Sequence, residues 1–383
     1  MRFSHIADCH LGSWSIPELN ELNFKSFKYA IDYSIQQSVD FVLIAGDLFD
    51  SAYPPIDTLK MAFNEFRKLN EAKIPVFLIA GSHDYSVSGK TFLEVLEKSG
   101  FCKDISKFEE KSGKIILYPT IYKGCAIYGF PGKKSSLEVS EIEKIKLQDA
   151  PGMFKILMLH TAIKDAVPEI AEINSVNQDT LPKVDYLALG HLHINYAKEN
   201  RVYSGPTFPN NLSEIEELKY GSFYIFDNGK IERKEIRLKE VYALNLEIKN
   251  TLNTTENIIS FLENENIKDK IVILRLFGIL DQGKISEIDF RKIESIARKK
   301  GAFAFLKNTT RLHLTNPEIK VSKINEENIE EAIILDFEQK NKSKFNNLIH
   351  QLINSLQIEK LEDERASIFE ERILSEAKKI LQI

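Results

Sequence analysis

Residues 41–50 read Phe41-Val42-Leu43-Ile44-Ala45-Gly46-Asp47-Leu48-Phe49-Asp50. Five consecutive apolar side chains run straight into a glycine and an acid. A short apolar run that stops at a turn signal reads as a strand buried on both faces. Open α/β sheets bind their ligands beyond the carboxyl ends of such strands, where Asp47 and Asp50 stand.

The same pattern recurs outward from this segment. Phe3–Ala7, Val76–Ala80, Ala126–Phe130, Ile156–Leu159 and Tyr186–Leu189 are further short apolar runs. Residues 18–37, 56–71, 89–98 and 135–148 have helical spacing between them. This alternation predicts an α/β fold with helices on the faces of its sheets. Residues 221–226 and 230–238 flank Asp227-Asn228-Gly229, a hairpin signal.

Composition narrows the class. The chain has 383 residues, of which 43% are hydrophobic, enough for a sizeable core and for two or three domains at about 150 residues each. Its formal net charge is −5, so nucleic acid would have to meet a local basic patch. Cys9, Cys102 and Cys125 are far apart, which excludes a disulfide scaffold and a Cys-rich zinc site. No signal-type core follows Met1, and no apolar run approaches the roughly 18 residues of a bilayer span. The expectation is a soluble cytoplasmic protein with no membrane partner.

Breakers divide the chain unevenly. Eleven of the 12 prolines fall at or before Pro209, and the last glycine is Gly301. Residues 241–315 read strand, helix, strand, helix, strand, strand. They carry 12 Lys and Arg against 9 Asp and Glu, the one net-basic block. Beyond residue 326 the pattern is helical. Phe345, Leu348, Ile349, Leu352, Ile353 and Leu356 form one apolar stripe, and Phe369, Ile373, Ala377 and Leu381 another.

Six of the eight histidines lie in the first 193 residues. Five segments follow predicted strands: Asp8-Cys9-His10, Gly46–Asp50, Gly81-Ser82-His83-Asp84, Leu159-His160-Thr161 and Gly190-His191-Leu192-His193. If each segment is extended, residues two apart share a face. Asp8 then aligns with His10, and His191 with His193. Imidazoles with carboxylates and no thiolate suit Mn, Fe, Co or Zn. The donors exceed one tetrahedral shell, so two ions about 3.5–4 Å apart are expected, with Asp47 as the bridge. His5, His313 and His350 read as structural, and Cys9 as packing.

The series DxH, GDxxD, GxHD, H, GHxH resembles the calcineurin-like metallophosphoesterases. The opening Phe3-Ser-His-Ile-Ala-Asp-Cys-His-Leu-Gly12, the segment Gly46–Pro55 and the appended domains resemble the meiotic-recombination-eleven family of DNA repair nucleases, whose bacterial member is SbcD. The resemblance implies a β-sandwich flanked by helices in αββα layers, with a small α+β capping domain and a C-terminal helical segment. Residues 1–240 would be the nuclease domain and 241–315 the DNA-binding cap. Residues 316–383 would be a linker and helices that bind a Rad-fifty-type coiled-coil ATPase.

The resemblance further implies two Mn²⁺ per subunit. Asp8, His10 and His193 would hold one ion, with Asp47 bridging. His160, His191 and residue 82 would hold the other, and His83 would face the scissile phosphate. The implied activity is 3′→5′ exonuclease and endonuclease cleavage at DNA ends, by a homodimer. Activity on small phosphodiesters, or an inactive end-tethering scaffold, are the alternatives. Two positions depart from the family pattern. Ser82 replaces an asparagine, and Asp50 stands where many members carry histidine. Asp50 would pair with His83 and favour its imidazolium. Lys90, Lys284, Arg298, Lys299 and Lys300 are candidate DNA contacts, and Phe63, Phe66, Phe92 and Leu96 candidate dimer contacts.

Overall fold

The computed structural model describes residues 1–86, 91–167, 173–314, 346–356, 358 and 366–381. The first elements in chain order are β1 (Arg2–Ile6), α1 (Pro17–Gln36), β2 (Phe41–Ala45), α2 (Ile56–Glu71), β3 (Val76–Ile79), α3 (Phe92–Lys98) and β4 (Lys103–Asp104). Next come β5 (Phe108–Lys111), β6 (Lys114–Leu117), β7 (Thr120–Tyr122), β8 (Cys125–Phe130), α4 (Val139–Ile142), β9 (Ile145–Leu147) and β10 (Phe154–His160). Then follow β11 (Tyr186–Gly190), β12 (Tyr196–Lys198), β13 (Arg201–Tyr203), α5 (Leu212–Leu218), β14 (Gly221–Asp227) and β15 (Lys230–Ile236).

Two six-stranded sheets stack face to face, in the orders β15-β14-β1-β2-β3-β4 and β12-β13-β11-β10-β8-β7. Their central strands run parallel, and antiparallel strands close the edges at β15, β12 and β7. Alternation along β2 shows why its run is wholly apolar. Phe41, Leu43 and Ala45 enter the core between the sheets, while Val42 and Ile44 enter the core under α1 and α2. In β10, Ile156 and Met158 face inward, and Leu157 and Leu159 outward. Phe3 stacks on Phe41 at 5.0 Å and on Phe226 at 4.7 Å, binding three strands of one sheet across its inner face.

The helices follow from their stripes. Pro17 opens α1, where its missing N–H costs nothing. Leu59, Ala62, Phe66 and Leu69 bury one face of α2. Phe66 and Leu96 are fully buried in this core, with Phe63 and Phe92 half-buried against it. Those candidate dimer contacts are therefore mainly core packing. The helix expected over 135–148 is also corrected: α4 is a single turn, and Ile145–Leu147 form β9. Ile115 registers with Ile145, and Leu117 with Leu147. The three-residue spacing of Val139, Ile142 and Ile145 imitates a helix, but pairing with β6 overrides it. This small sheet, β5-β6-β9, covers the outer face of the second large sheet.

After β15 come β16 (Val241–Glu247), α6 (Thr254–Asn264), β17 (Ile271–Leu280), α7 (Phe290–Lys299) and β18 (Ala304–Leu314). The three strands form one sheet, with β18 a single strand where two pieces were expected. One sheet face packs Val272, Leu274 and Leu276 on Ile258, Leu262, Ile293 and Ala297 of the helices. The other packs Ile271, Ile273, Ala304 and Leu306 on Leu19, Leu22, Phe208 and Ile215.

The chain divides into two compact units, Met1–His313 and Leu314–Ile383. In the second, Ile349–Leu356 and Ala366–Leu381 are helical. Phe345 and the rest of 326–345 lie outside the described residues. Among the described residues no helix is long and apolar enough to cross a membrane.

Phe66→Ala should lower the stability of the first unit by about 3–5 kcal/mol, the cost of a large cavity in a closed core. Urea denaturation measures it, and an unchanged midpoint would contradict the core assignment.

Candidate metal centre

The loops after β1, β2, β3, β10 and β11 meet at one rim of the sandwich. They carry Asp8 and His10, Asp47, Ser82 and His83, and His191 and His193, while His160 is the last residue of β10 itself. The side chains do not converge because the segments are extended, as the sequence reading assumed. Asp8, His10, Asp47 and His191 have positive φ of 50°, 41°, 49° and 94°. Such backbone costs non-glycine residues about 1–3 kcal/mol each and survives only where its surroundings enforce it.

Each carboxylate is anchored by one oxygen. Asp8 Oδ1 accepts the His191 N–H at 2.9 Å, and Asp8 Oδ2 is buried with no partner. Asp47 Oδ1 accepts the His83 N–H at 2.7 Å. Asp47 Oδ2 lies 3.1 Å from His160 Nε2 and 3.6 Å from His10 Nε2, and accepts the Ser82 hydroxyl at 3.3 Å.

Each key imidazole is likewise anchored through Nδ1. His160 donates to the Ala45 carbonyl at 2.9 Å, His193 to Glu214 at 2.9 Å and His10 to Asp50 at 3.1 Å. Their Nε2 atoms are thereby turned inward, and those of His10 and His193 stand 3.1 Å apart. An outward hydrogen bond of this kind fixes the tautomer of a metal-binding histidine. Donor atoms of Asp8, His10 and His193 lie within 4.8 Å of one another, as do those of Asp8, Asp47 and His160. The orphaned Asp8 oxygen and the facing Nε2 atoms fit a divalent cation of the kind that takes N and O donors.

Crowding explains the glycines. A Cβ on Gly46, whose φ is +89°, would fall 2.3 Å from His160 Nδ1, and one on Gly81 would fall 2.2 Å from Asp47 Oδ1.

Electrostatics follow from burial and charge. Burial pushes His160 down, but the Asp47 carboxylate outweighs it and raises the imidazole to about 10. Burial pushes Asp47 up, yet His160 and His10 hold it well below the usual carboxylate range. Burial, then the neighbouring His160, lowers His191 to about 4. His191 is thus neutral at pH 7, with its ring 5.2 Å from that of His160.

The expected Asp50–His83 pair is altered. The Asp50 carboxylate lies nearer His10, and His83 Nδ1 donates to the Asp50 backbone carbonyl at 3.0 Å, with Asp50 Oδ1 at 3.5 Å. The short Asp50 side chain is taken up by the more buried imidazole. Two basic candidates are committed elsewhere. Arg298 bridges Glu18 at 2.6 Å and Glu294 at 2.8 Å. Lys300 donates to the carbonyls of Leu262, Glu263 and Glu265, capping α6. Lys284 and Lys299 are exposed, and Lys90 lies outside the described residues. His5 is buried against the Tyr186 hydroxyl at 3.1 Å, and Cys9 is packed in the core.

Two residues went unassigned in the sequence reading. Asp84 is buried and accepts the N–H groups of Leu48, Phe49 and Gly81 at 3.0–3.1 Å, tying the Asp47 loop to the His83 loop. Its place after His83 in the third motif was the available signal. Glu214, the partner of His193, had no local signal.

Residues 1–195, just over half of the chain, match the calcineurin-like phosphoesterase family. The chain belongs to that family. It is 28% identical over 329 residues to the DNA double-strand break repair protein Mre11 of Methanocaldococcus jannaschii, spanning 77% of this chain and 87% of that one. It is 26% identical over 402 residues to Mre11 of Archaeoglobus fulgidus, spanning 98% and 85%. To the uncharacterized metallophosphoesterase YhaO of Bacillus subtilis it is 28% identical over 257 residues, spanning 63% and 61%. Its likeness to the archaeal Mre11 proteins extends over most of the chain.

If His160 Nε2 holds a metal, the proton of its raised imidazole competes with that metal, so affinity should climb as pH rises from 6 to 9. Loading at pH 7 should release about one proton from this residue. Calorimetric Mn²⁺ titrations in two buffers of different ionisation enthalpy measure the release, and pH-independent affinity would contradict the assignment.

Proposed function

We propose that this protein is a manganese-dependent nuclease that processes DNA double-strand breaks, with 3′→5′ exonuclease and endonuclease activity. The observation that carries this reading is the inward convergence of the His10, His193 and His160 Nε2 atoms on the unpartnered Asp8 Oδ2 and on Asp47 Oδ2. Asp8, His10 and His193 would hold one ion. His160, His191 and Ser82 would hold the second, and Asp47 would serve both. When bound, the ions supply Lewis acidity toward phosphate and acidify water.

The remaining chemistry belongs to side chains. His83 is half exposed beside the His10 ring, with ring centroids 4.6 Å apart. Its Nδ1 is tied to Asp50, which leaves Nε2 to carry a proton to the departing sugar oxygen. Asp50 steadies both imidazoles. DNA would lie across the rim and the basic cap, touching Lys284, Lys299 and Lys90. Arg298 and Lys300, already paired within the fold, would serve cap architecture instead.

For partners, we infer a homodimer and a Rad-fifty-type ATPase that receives the C-terminal helices. The half-buried stripe of Phe369, Ile373, Ala377 and Leu381 supports a helix-in-groove mode. The archaeal relatives are named as DNA double-strand break repair proteins, which supports DNA ends as the substrate.

A Mn²⁺ nuclease assay on end-labelled duplex tests the activity. His83→Ala should lower turnover by about 10²–10⁴-fold while Mn²⁺ still binds. Deleting 326–383 should leave cleavage intact and abolish co-purification with the ATPase. A wild-type chain that cleaves a chromogenic diester but no DNA end would overturn the nuclease reading. Neutralising Lys284 or Lys299 should reduce the log–log salt slope of DNA binding by about one each.

A further inference from the structure

Three consecutive residues of α5 face three different parts of the molecule. Glu214 faces the metal centre. Its Oε1 accepts from His193 Nδ1 at 2.9 Å and from Asn211 Nδ2 at 2.7 Å, and its Oε2 accepts the Asn210 N–H at 2.8 Å. Ile215 is fully buried in the core shared with Ile271, Ile273, Ala304 and Leu306 of the cap. Glu216 pairs with Arg275 of β17, and both side chains are largely buried. The pair is made by Arg275 Nη2, while Arg275 Nε is buried with no hydrogen-bond partner, so the hold of Arg275 on α5 runs through Glu216.

Adjacent helical positions point in different directions. A helix of under two turns gripped on three sides moves as one piece. Displacing β17 would therefore shift Glu216, and with it Glu214 and the ring of His193. A second cap–body ion pair, Arg298 with Glu18 of α1, bypasses α5 altogether.

We propose that Glu214 is a positioning residue for His193, and that α5 couples the seat of the capping domain, through Arg275–Glu216, to the grip on the ion held by Asp8, His10 and His193. This rests on the metal-centre reading given above. A carboxylate behind a ligating histidine holds its tautomer and raises its basicity. Coupling of this kind is reciprocal: metal loading would tighten the cap against α5, and anything that lifts the cap would loosen the metal.

The test is a Mn²⁺ titration of the full chain, with free Mn²⁺ read by electron paramagnetic resonance. Glu214→Gln keeps the shape and removes the charge. It should weaken one of two ions by about 10–100-fold and leave the other within about twofold. Arg275→Met and Glu216→Gln should each weaken that same ion at least about fivefold, and Arg275→Lys should restore most of the loss. Combining Arg275→Met with Glu214→Gln should add little to Glu214→Gln alone. Glu18→Gln should leave both affinities unchanged. In the wild type, Mn²⁺ should slow amide exchange in β17. Wild-type affinity in Glu214→Gln would overturn the positioning role. Wild-type affinity in both Arg275→Met and Glu216→Gln, or equal losses in Glu18→Gln, would overturn the coupling. A wild-type chain that takes up no Mn²⁺ overturns the metal-centre reading itself, a result distinct from any of these.

Discussion

The fold is organised around an unfavourable juxtaposition. Asp47 and Asp8 are carboxylates buried almost completely, each with one oxygen turned toward imidazole nitrogens and away from water. Removing such groups from solvent costs several kcal/mol per ion unless something compensates. Part of the compensation is internal, since His160 and Asp47 stabilise each other's charged forms. The rest is what a divalent cation provides. Backbone at positive φ, glycines that admit side chains where a Cβ would collide, and a buried Asp84 that bridges two loops all serve to hold these groups in place.

The sandwich makes that arrangement affordable. Both faces of the central strands are covered, so β2, β3 and β11 are built of apolar side chains and their carboxyl ends are rigidly placed. Two sheets then present five loops to one rim, three from the first sheet and two from the second. A single open sheet would spread those loops along a line. Stacking the two sheets brings His160 and the segment 191–193 over Asp8 and Asp47. The outward anchors are of unequal kind: His10 and His193 lean on carboxylates, whereas His160 leans on a backbone carbonyl.

Much of the candidate site was legible because its residues sit immediately after apolar runs, and a strand is a local event that five or six side chains specify. The strands around Asp8, Asp47, His83, His160 and His191 lie within a residue or two of their expected limits. Their side chains do not align by extended spacing, because extended geometry ends before Asp8 and Asp47 and the backbone turns left-handed there. Residues 135–148 misled for a related reason: apolar spacing of three suits a helix turn and equally a turn followed by a strand, and only β6 distinguishes them. Arg298 and Lys300 looked like free cations because their acceptors, Glu18 and the end of α6, are remote in sequence.

The amino-acid pattern alone was sufficient for the α/β class and the five motifs, because each depends on neighbours a few positions away. Pairing across hundreds of residues lay beyond it. Glu214 behind His193, Glu216 against Arg275, the Asp50 carboxylate turned to His10, and Asp84 between two loops all depend on how sheets and domains stack. Such contacts are set by packing in three dimensions, and packing has no period along the chain.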